Sequence, residues 1–151
     1  MRMTAARITP HVSAARLASV ALAAVLLFSA CFGASEQQTG MDYLNYDRVS
    51  HGTPAATYHG MLQAKAQAWA ERLASENTLY HSRLSDGISG CWRGLGENVG
   101  YGGSIAQIQA SYMSSSGHRA NIMNAGFNYA AVGVAHRGDR VFTVQVFMQA
   151  C

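Results

Sequence analysis

The sequence predicts an α+β domain, and three observations carry the prediction. Residues 58–77, "YHGMLQAKAQAWAERLASEN", place Leu62, Ala66, Trp69, Ala70 and Leu73 at i, i+4, i+7, i+8 and i+11, the apolar stripe of a long helix. Residues 129–136 and 141–148, "YAAVGVAH" and "VFTVQVFM", change to a period of two. The order of these patterns, helices first and a hairpin last, argues for a mainly antiparallel sheet covered by helices.

The remaining elements follow along the chain. "MDYLNYDRVSHG", residues 41–52, spaces Tyr43, Leu44, Tyr46 and Val49 as a short first helix that stops at Gly52, and Pro54 then enforces a turn. Residues 78–103 contain many glycines and no clear period, and read as a long irregular loop, which in a compact domain is usually functional. Ser104 is a good N-cap for a helix over 104–113, where Ile105, Ile108 and Tyr112 share a face. Residues 114–124 read as a turn entering another short helix. The two strands are joined by "RGDR", with Gly138 where a type II′ turn needs glycine. Arg137-Gly138-Asp139 spells an integrin-binding tripeptide, but a tripeptide at a turn arises readily by chance.

The 151 residues hold eleven Lys and Arg against eight Asp and Glu. Three of the eleven, Arg2, Arg7 and Arg16, precede the apolar run "LASVALAAVLLFSAC" at 17–31. A basic head, a short apolar stretch and small residues at its end read as an export signal over 1–30. Without those three arginines the balance is neutral, which removes the electrostatic case for nucleic acid. "FSAC" resembles a lipobox, with Cys31 as the lipid-modified first residue of an outer-face lipoprotein. Ordinary cleavage near Ala30 or Ala34, which would free the protein, and a retained anchor are the alternatives. Residues 31–40 then form a small, polar tether to a domain over 41–151. If Cys31 carries lipid, Cys91 and Cys151 remain to pair as one disulfide, as exported cysteines usually do; two buried thiols are the alternative.

Glu97 stands in "RGLGENVGYGG", a glycine-rich stretch with no other acid between Asp86 and Asp139. A phosphate loop does not fit: Val99 replaces the third glycine of a dinucleotide fingerprint, and no Lys-Ser/Thr follows. The histidines after the export signal, His51, His59, His81, His118 and His136, include no i, i+4 pair, so any metal site must be assembled from distant segments. His81 in "YHS" and His118 in "SGHR" occupy polar, loop-like settings.

"LQAKAQAWAERLASENTLYHS", "GENV", "SYMSSSGHRANIM", "VGVA" and "VFTVQVF", in this order over roughly residues 41–149, resemble a bacterial member of the CAP superfamily, the cysteine-rich secretory, antigen 5 and pathogenesis-related-1 proteins. The resemblance implies a single-domain α-β-α sandwich with a shallow cleft. It also implies a cleft tetrad of two histidines and two acids. By motif, His81 is its first histidine, Glu97 its first acid and His118 its second histidine. The second acid does not carry over, because Ser114 and Ser115 stand where it should fall.

His81 and His118 are the candidate ligands of a weakly held divalent metal such as zinc, with Glu97 fixing one imidazole tautomer. The glycines would let the backbone turn sharply and press close. The expected function is an exported, non-enzymatic protein that takes a lipid, a small apolar ligand or an extracellular protein. One alternative is a metal-assisted or serine hydrolase of extracellular peptides, with His118 as base, Glu97 as orienter and Ser114, Ser115 or Ser116 as nucleophile. No G-x-S-x-G elbow supports it. The other is a structural or adhesive surface protein.

Overall fold

A computed structural model describes residues 36–151. The expected export signal and Cys31 lie outside the described residues. Helix α1 takes in residues 36–50. It is followed by β1 (Thr57–Tyr58), α2 (Gly60–Glu76), β2 (Trp92–Gly102), α3 (Ile105–Ser114), α4 (Ser116–Met123), β3 (Tyr129–Arg137) and β4 (Arg140–Ala150). The sheet order is β1-β3-β4-β2, with β3-β4 and β4-β2 antiparallel and the two-residue β1 parallel to β3. The fold is therefore α+β, as expected, with a mixed sheet in which antiparallel pairing dominates.

Alternation along the strands divides the core in two. On one face, Phe142, Val144 and Val146 pack with Leu62, Ala66, Ala70 and Leu73 of α2. On the other, Val141 and Phe147 pack with Met41 and Leu44 of α1, Ile108 and Tyr112 of α3, and Ile122 of α4. The predicted α2 stripe is buried except for Trp69, which is half-exposed and donates its indole N–H to the Tyr80 carbonyl at 3.0 Å. Alanines on α2 permit very close approach to β3: a Cβ built on Gly133 would lie 2.1 Å from the Ala66 carbonyl oxygen. β1 covers only the first residues of β3, and α2 side chains cover the next ones. Gln63 donates to the Val132 carbonyl, while Gln67 both donates to the carbonyl and accepts from the N–H of Val134. Two glutamines thus complete an edge that would otherwise leave backbone groups unpaired.

The hairpin and the N-cap follow expectation. Gly138 has φ +56° between β3 and β4, and the Ser104 hydroxyl accepts from Gln107 N–H. Three readings change. Residues 36–40, expected within the tether, are helical, and Met41 is already buried. A strand of two residues, β1, was not foreseen. Most importantly, 92–102 form a strand rather than loop, paired with β4 from Trp92↔Ala150 to Gly102↔Val141 with an irregularity at Arg93. Its glycines hid the period by leaving alternate positions without side chains. The cysteines form the Cys91–Cys151 disulfide, which ties the segment before β2 to the end of β4, and both residues are exposed.

Candidate functional site

Strand β2 is the edge of the sheet, and alternation sends its neighbouring residues to opposite faces. Glu97, opposite Val146, points to the α2 side; Asn98, opposite Gln145, points to the α3 and α4 side. The chain leaving α2 brings His81 and Ser82 over Glu97. The His81 Nδ1–H donates to Glu97 Oε1 at 2.9 Å, the Ser82 N–H donates to the same oxygen at 2.9 Å, and the Ser82 hydroxyl donates to Oε2 at 2.6 Å. The Glu97 side chain is 1% exposed and the His81 side chain 60%. Both carboxylate oxygens are therefore engaged by one short segment, and the acid orients the largely exposed imidazole through its Nδ1. Ser82 was missed in the sequence; its only signal there was adjacency to His81.

His118 reaches the same strand from the other side, on α4. It makes no hydrogen bond to Glu97. Instead its carbonyl accepts from Asn98 Nδ2 at 3.1 Å, and its ring lies 5.0 Å from the Tyr112 ring, centroid to centroid. Burial lowers its pKa, and the charge of nearby His81 adds to the effect. Of the predicted trio, the structure thus joins His81 to Glu97 directly, while His118 makes no such bond and sits where burial favours its neutral ring.

Amides fix this arrangement. Asn121 Nδ2 donates to the Glu97 carbonyl and to Asn98 Oδ1, at 3.2 and 2.9 Å. Asn98 Nδ2 also donates to Gln145 Oε1, Gln145 to Gln109, and Gln109 to Asp47 of α1. Asn98, Gln109 and Gln145 are buried, so each satisfied amide avoids a desolvation cost of a few kcal/mol at the roughly 1–3 kcal/mol scale. Asn98 and Asn121 together clamp β2 to α4. The glycines beside Glu97 serve that clamp. A Cβ on Gly96 would meet Phe127 at 2.9 Å and Asn121 at 3.2 Å, and one on Gly100 would meet Tyr112 at 2.9 Å. Neither glycine has positive φ, so the sharp turn expected here is replaced by close packing alone.

Arg48 was also missed. It is 1% exposed, meets no carboxylate among the described residues, and donates to the carbonyls of Pro54, Ile122, Asn124 and Phe127. It ties α1 to the end of α4 and to the entry of β3.

The cysteine-rich secretory protein (CAP) family model matches residues 41–148. The chain belongs to the CAP family. Its fold resembles that of an extracellular protein containing an SCP domain from Bacillus anthracis, with a TM-score of 0.67 and 25% identity over 78% of this chain and 41% of that one. An outer surface protein from Borrelia burgdorferi aligns with a TM-score of 0.67 at 12% identity, over 78% of this chain and 94% of that one. A cysteine-rich secretory protein from Staphylococcus aureus aligns with a TM-score of 0.62 at 16% identity, over 78% of this chain and 39% of that one. The chain thus spans about two fifths of the first and third of these. No curated protein matches it.

A metal at this CAP site would have two imidazole donors. His81 is oriented through Nδ1 by Glu97, and burial of His118 favours the neutral ring that can ligate. Among the described residues no group of three or more His, Cys, Asp or Glu side chains is placed to hold a metal ion. Two imidazoles fall short of the three protein ligands usual in a catalytic zinc site.

Proposed function

We propose that the protein is an exported, non-enzymatic CAP-domain protein. In this reading His81 and His118 hold a divalent metal such as zinc weakly, and the surface around them takes a lipid, a small apolar ligand or an extracellular protein partner. The single observation that carries the reading is the geometry of Glu97. Its oxygens accept from three donors, one of them His81 Nδ1–H, which makes it an orienting group for a ligating imidazole. Export is supported by the basic and apolar N-terminal sequence, by the Cys91–Cys151 disulfide and by extracellular or surface relatives. Lipid on Cys31 would keep the domain at the outer face of the membrane, and ordinary cleavage would release it.

The serine-hydrolase branch of the alternative needs a serine presented to His118. The Ser114 hydroxyl donates to the Ala110 carbonyl at 2.9 Å, and among the described residues no serine hydroxyl bonds to His81 or His118. A thermal-shift titration with zinc tests the proposal. A metal at a hundredfold excess over its Kd stabilises the folded state by about 2.7 kcal/mol. The melting temperature should rise in the wild type, and the rise should vanish in His81→Ala and His118→Ala. Absence of any shift with zinc, lipids or peptides would remove the binding reading. Peptide turnover that disappears in His118→Ala would favour the hydrolase. A lowered melting temperature in Glu97→Ala, with no ligand effect in the wild type, would favour the structural protein.

A further inference from the structure

Helix α1 buries one face and leaves apolar side chains on the other. Met41, Leu44 and Arg48 are buried against the rest of the domain. Tyr43, Tyr46 and Val49 recur every three residues on the opposite face, at 40, 71 and 61% exposure. The outward stripe of a surface helix is ordinarily polar or charged, so three such side chains in register mark a contact surface.

The chain before α1 says what covers it. Four residues separate Cys31 from Glu36, where the described helix begins. Five residue steps span at most about 18 Å, and α1 itself is about 22 Å long. Lipid on Cys31 would therefore hold all of α1 close to the bilayer surface. A tether of that length makes a second contact intramolecular, so a face too small to bind membrane from solution is engaged beside the anchor.

Residue type and charge fit the same partner. Tyrosine, with an apolar ring and a polar hydroxyl, is enriched at the membrane–water interface. Arg48 is the one cation of α1 and is buried on backbone carbonyls, so attraction to anionic headgroups is not what holds this face. Asp42 flanks the tyrosines, exposed and accepting from Gln38 at 2.8 Å, and its carboxylate limits the contact to interfacial depth. We propose that α1 is a membrane-facing helix whose Tyr43, Tyr46 and Val49 side chains settle into the lipid headgroup zone beside the anchor at Cys31. The sheet lies behind α1 and α2 lies beyond the sheet, so this docking turns the α2 side, with its largely exposed His81, away from the bilayer. The proposal rests on the lipoprotein branch of the proposed function and is independent of metal binding.

An indole reporter tests the orientation. The full chain is expressed with its own N-terminal sequence in a bacterial host and purified from membranes. It is reconstituted in phosphatidylethanolamine–phosphatidylglycerol vesicles that contain a lipid brominated on its acyl chains. Mass spectrometry of the same sample reads lipid on Cys31. Tyr46→Trp puts an indole on the α1 face, Glu71→Trp puts one on the exposed side of α2, and the parent, with Trp69 and Trp92, gives the baseline. Quenching above baseline is expected in Tyr46→Trp and not in Glu71→Trp. Adding Tyr43→Ser and Val49→Ser, exposed positions whose folding circular dichroism would verify, should remove most of the added quenching. High salt should leave it unchanged, because no exposed cation of α1 takes part. Absence of lipid on Cys31 overturns the proposal together with its lipoprotein premise. With lipid present, the proposal alone is overturned by equal quenching at positions 46 and 71, by none above baseline at 46, by full retention without Tyr43 and Val49, or by loss at high salt.

Discussion

Gly133→Ala should be among the most damaging single-methyl changes in the chain. A Cβ there would stand 2.1 Å from the Ala66 carbonyl oxygen, 2.2 Å from its carbon and 2.5 Å from the Gln67 nitrogen. Non-bonded heavy atoms rest at about 3.5 Å, so α2 would have to retreat by about 1.4 Å. The atoms in the way are backbone, and no rotamer change can relieve them. Retreat opens the seam closed by Leu62, Ala66, Ala70 and Leu73. It also stretches the Gln63 and Gln67 bonds to β3, now 2.9–3.0 Å, beyond hydrogen-bond range. Overpacking costs about 1–3 kcal/mol and each of three lost bonds about 1 kcal/mol, giving about 4–6 kcal/mol. That is a large share of a typical stability of about 5–15 kcal/mol. At a urea slope of about 2 kcal/mol/M the midpoint should fall by about 2–3 M, or the chain should fail to fold. Ala66→Gly should not rescue it, because the clash is with main chain. Gly117→Ala, which meets nothing within 4 Å on α4, is the control and should gain up to about 1 kcal/mol. A Gly133→Ala midpoint within about 0.5 M of wild type would refute this account of the helix–sheet contact.

Other perturbations are equally direct. Arg48→Met removes the donor to four carbonyls and should cost about 3–5 kcal/mol by chemical denaturation, with Arg48→Lys recovering only part; a loss below about 1 kcal/mol would show those carbonyls to be served by water. Replacing Cys91 and Cys151 by serine opens a 60-residue loop and should cost up to about 4 kcal/mol, read as a lower urea midpoint that reductant cannot lower further. His118 has a depressed pKa in the folded chain, from burial first and the His81 charge second. The unfolded chain therefore takes up that proton first as pH falls. Stability should be level above the unfolded value of about 6.5 and decline below it, and His118→Gln should flatten that decline in midpoints measured with chelator present. An unchanged slope in the variant would assign the acid sensitivity to other groups.

The sequence carried most of the architecture where side chains alternate with a clear period. α2, α3 and the β3–β4 hairpin are of this kind, and Ser104 and Gly138 marked their ends. It failed at β2, because Gly94, Gly96, Gly100 and Gly102 remove the side chains from which a period is read. It failed also at residues 36–40, where short polar residues suggested a tether although the first helix already runs through them. The histidine pair and Glu97 could be matched to a family by motif. Their pairing, the contribution of Ser82 and the amide chain through Asn98, Gln145 and Gln109 could not, since these residues are 15 to 47 positions apart in the bonds they make.

What the sequence by itself determined is therefore local: which segments are amphipathic, where helices and turns begin, and which family motifs are present. Those follow from interactions between near neighbours, and near neighbours are visible in one dimension. What only the tertiary structure decided is where buried polar groups find partners. Glu97 lies on an edge strand beneath His81 and Ser82, Arg48 lies among four carbonyls, and Gly133 lies against the backbone of α2. Each assignment depends on which surfaces the fold removes from water. A carboxylate, a guanidinium or a missing Cβ acquires its role only when burial makes an unsatisfied bond or a lost ångström costly.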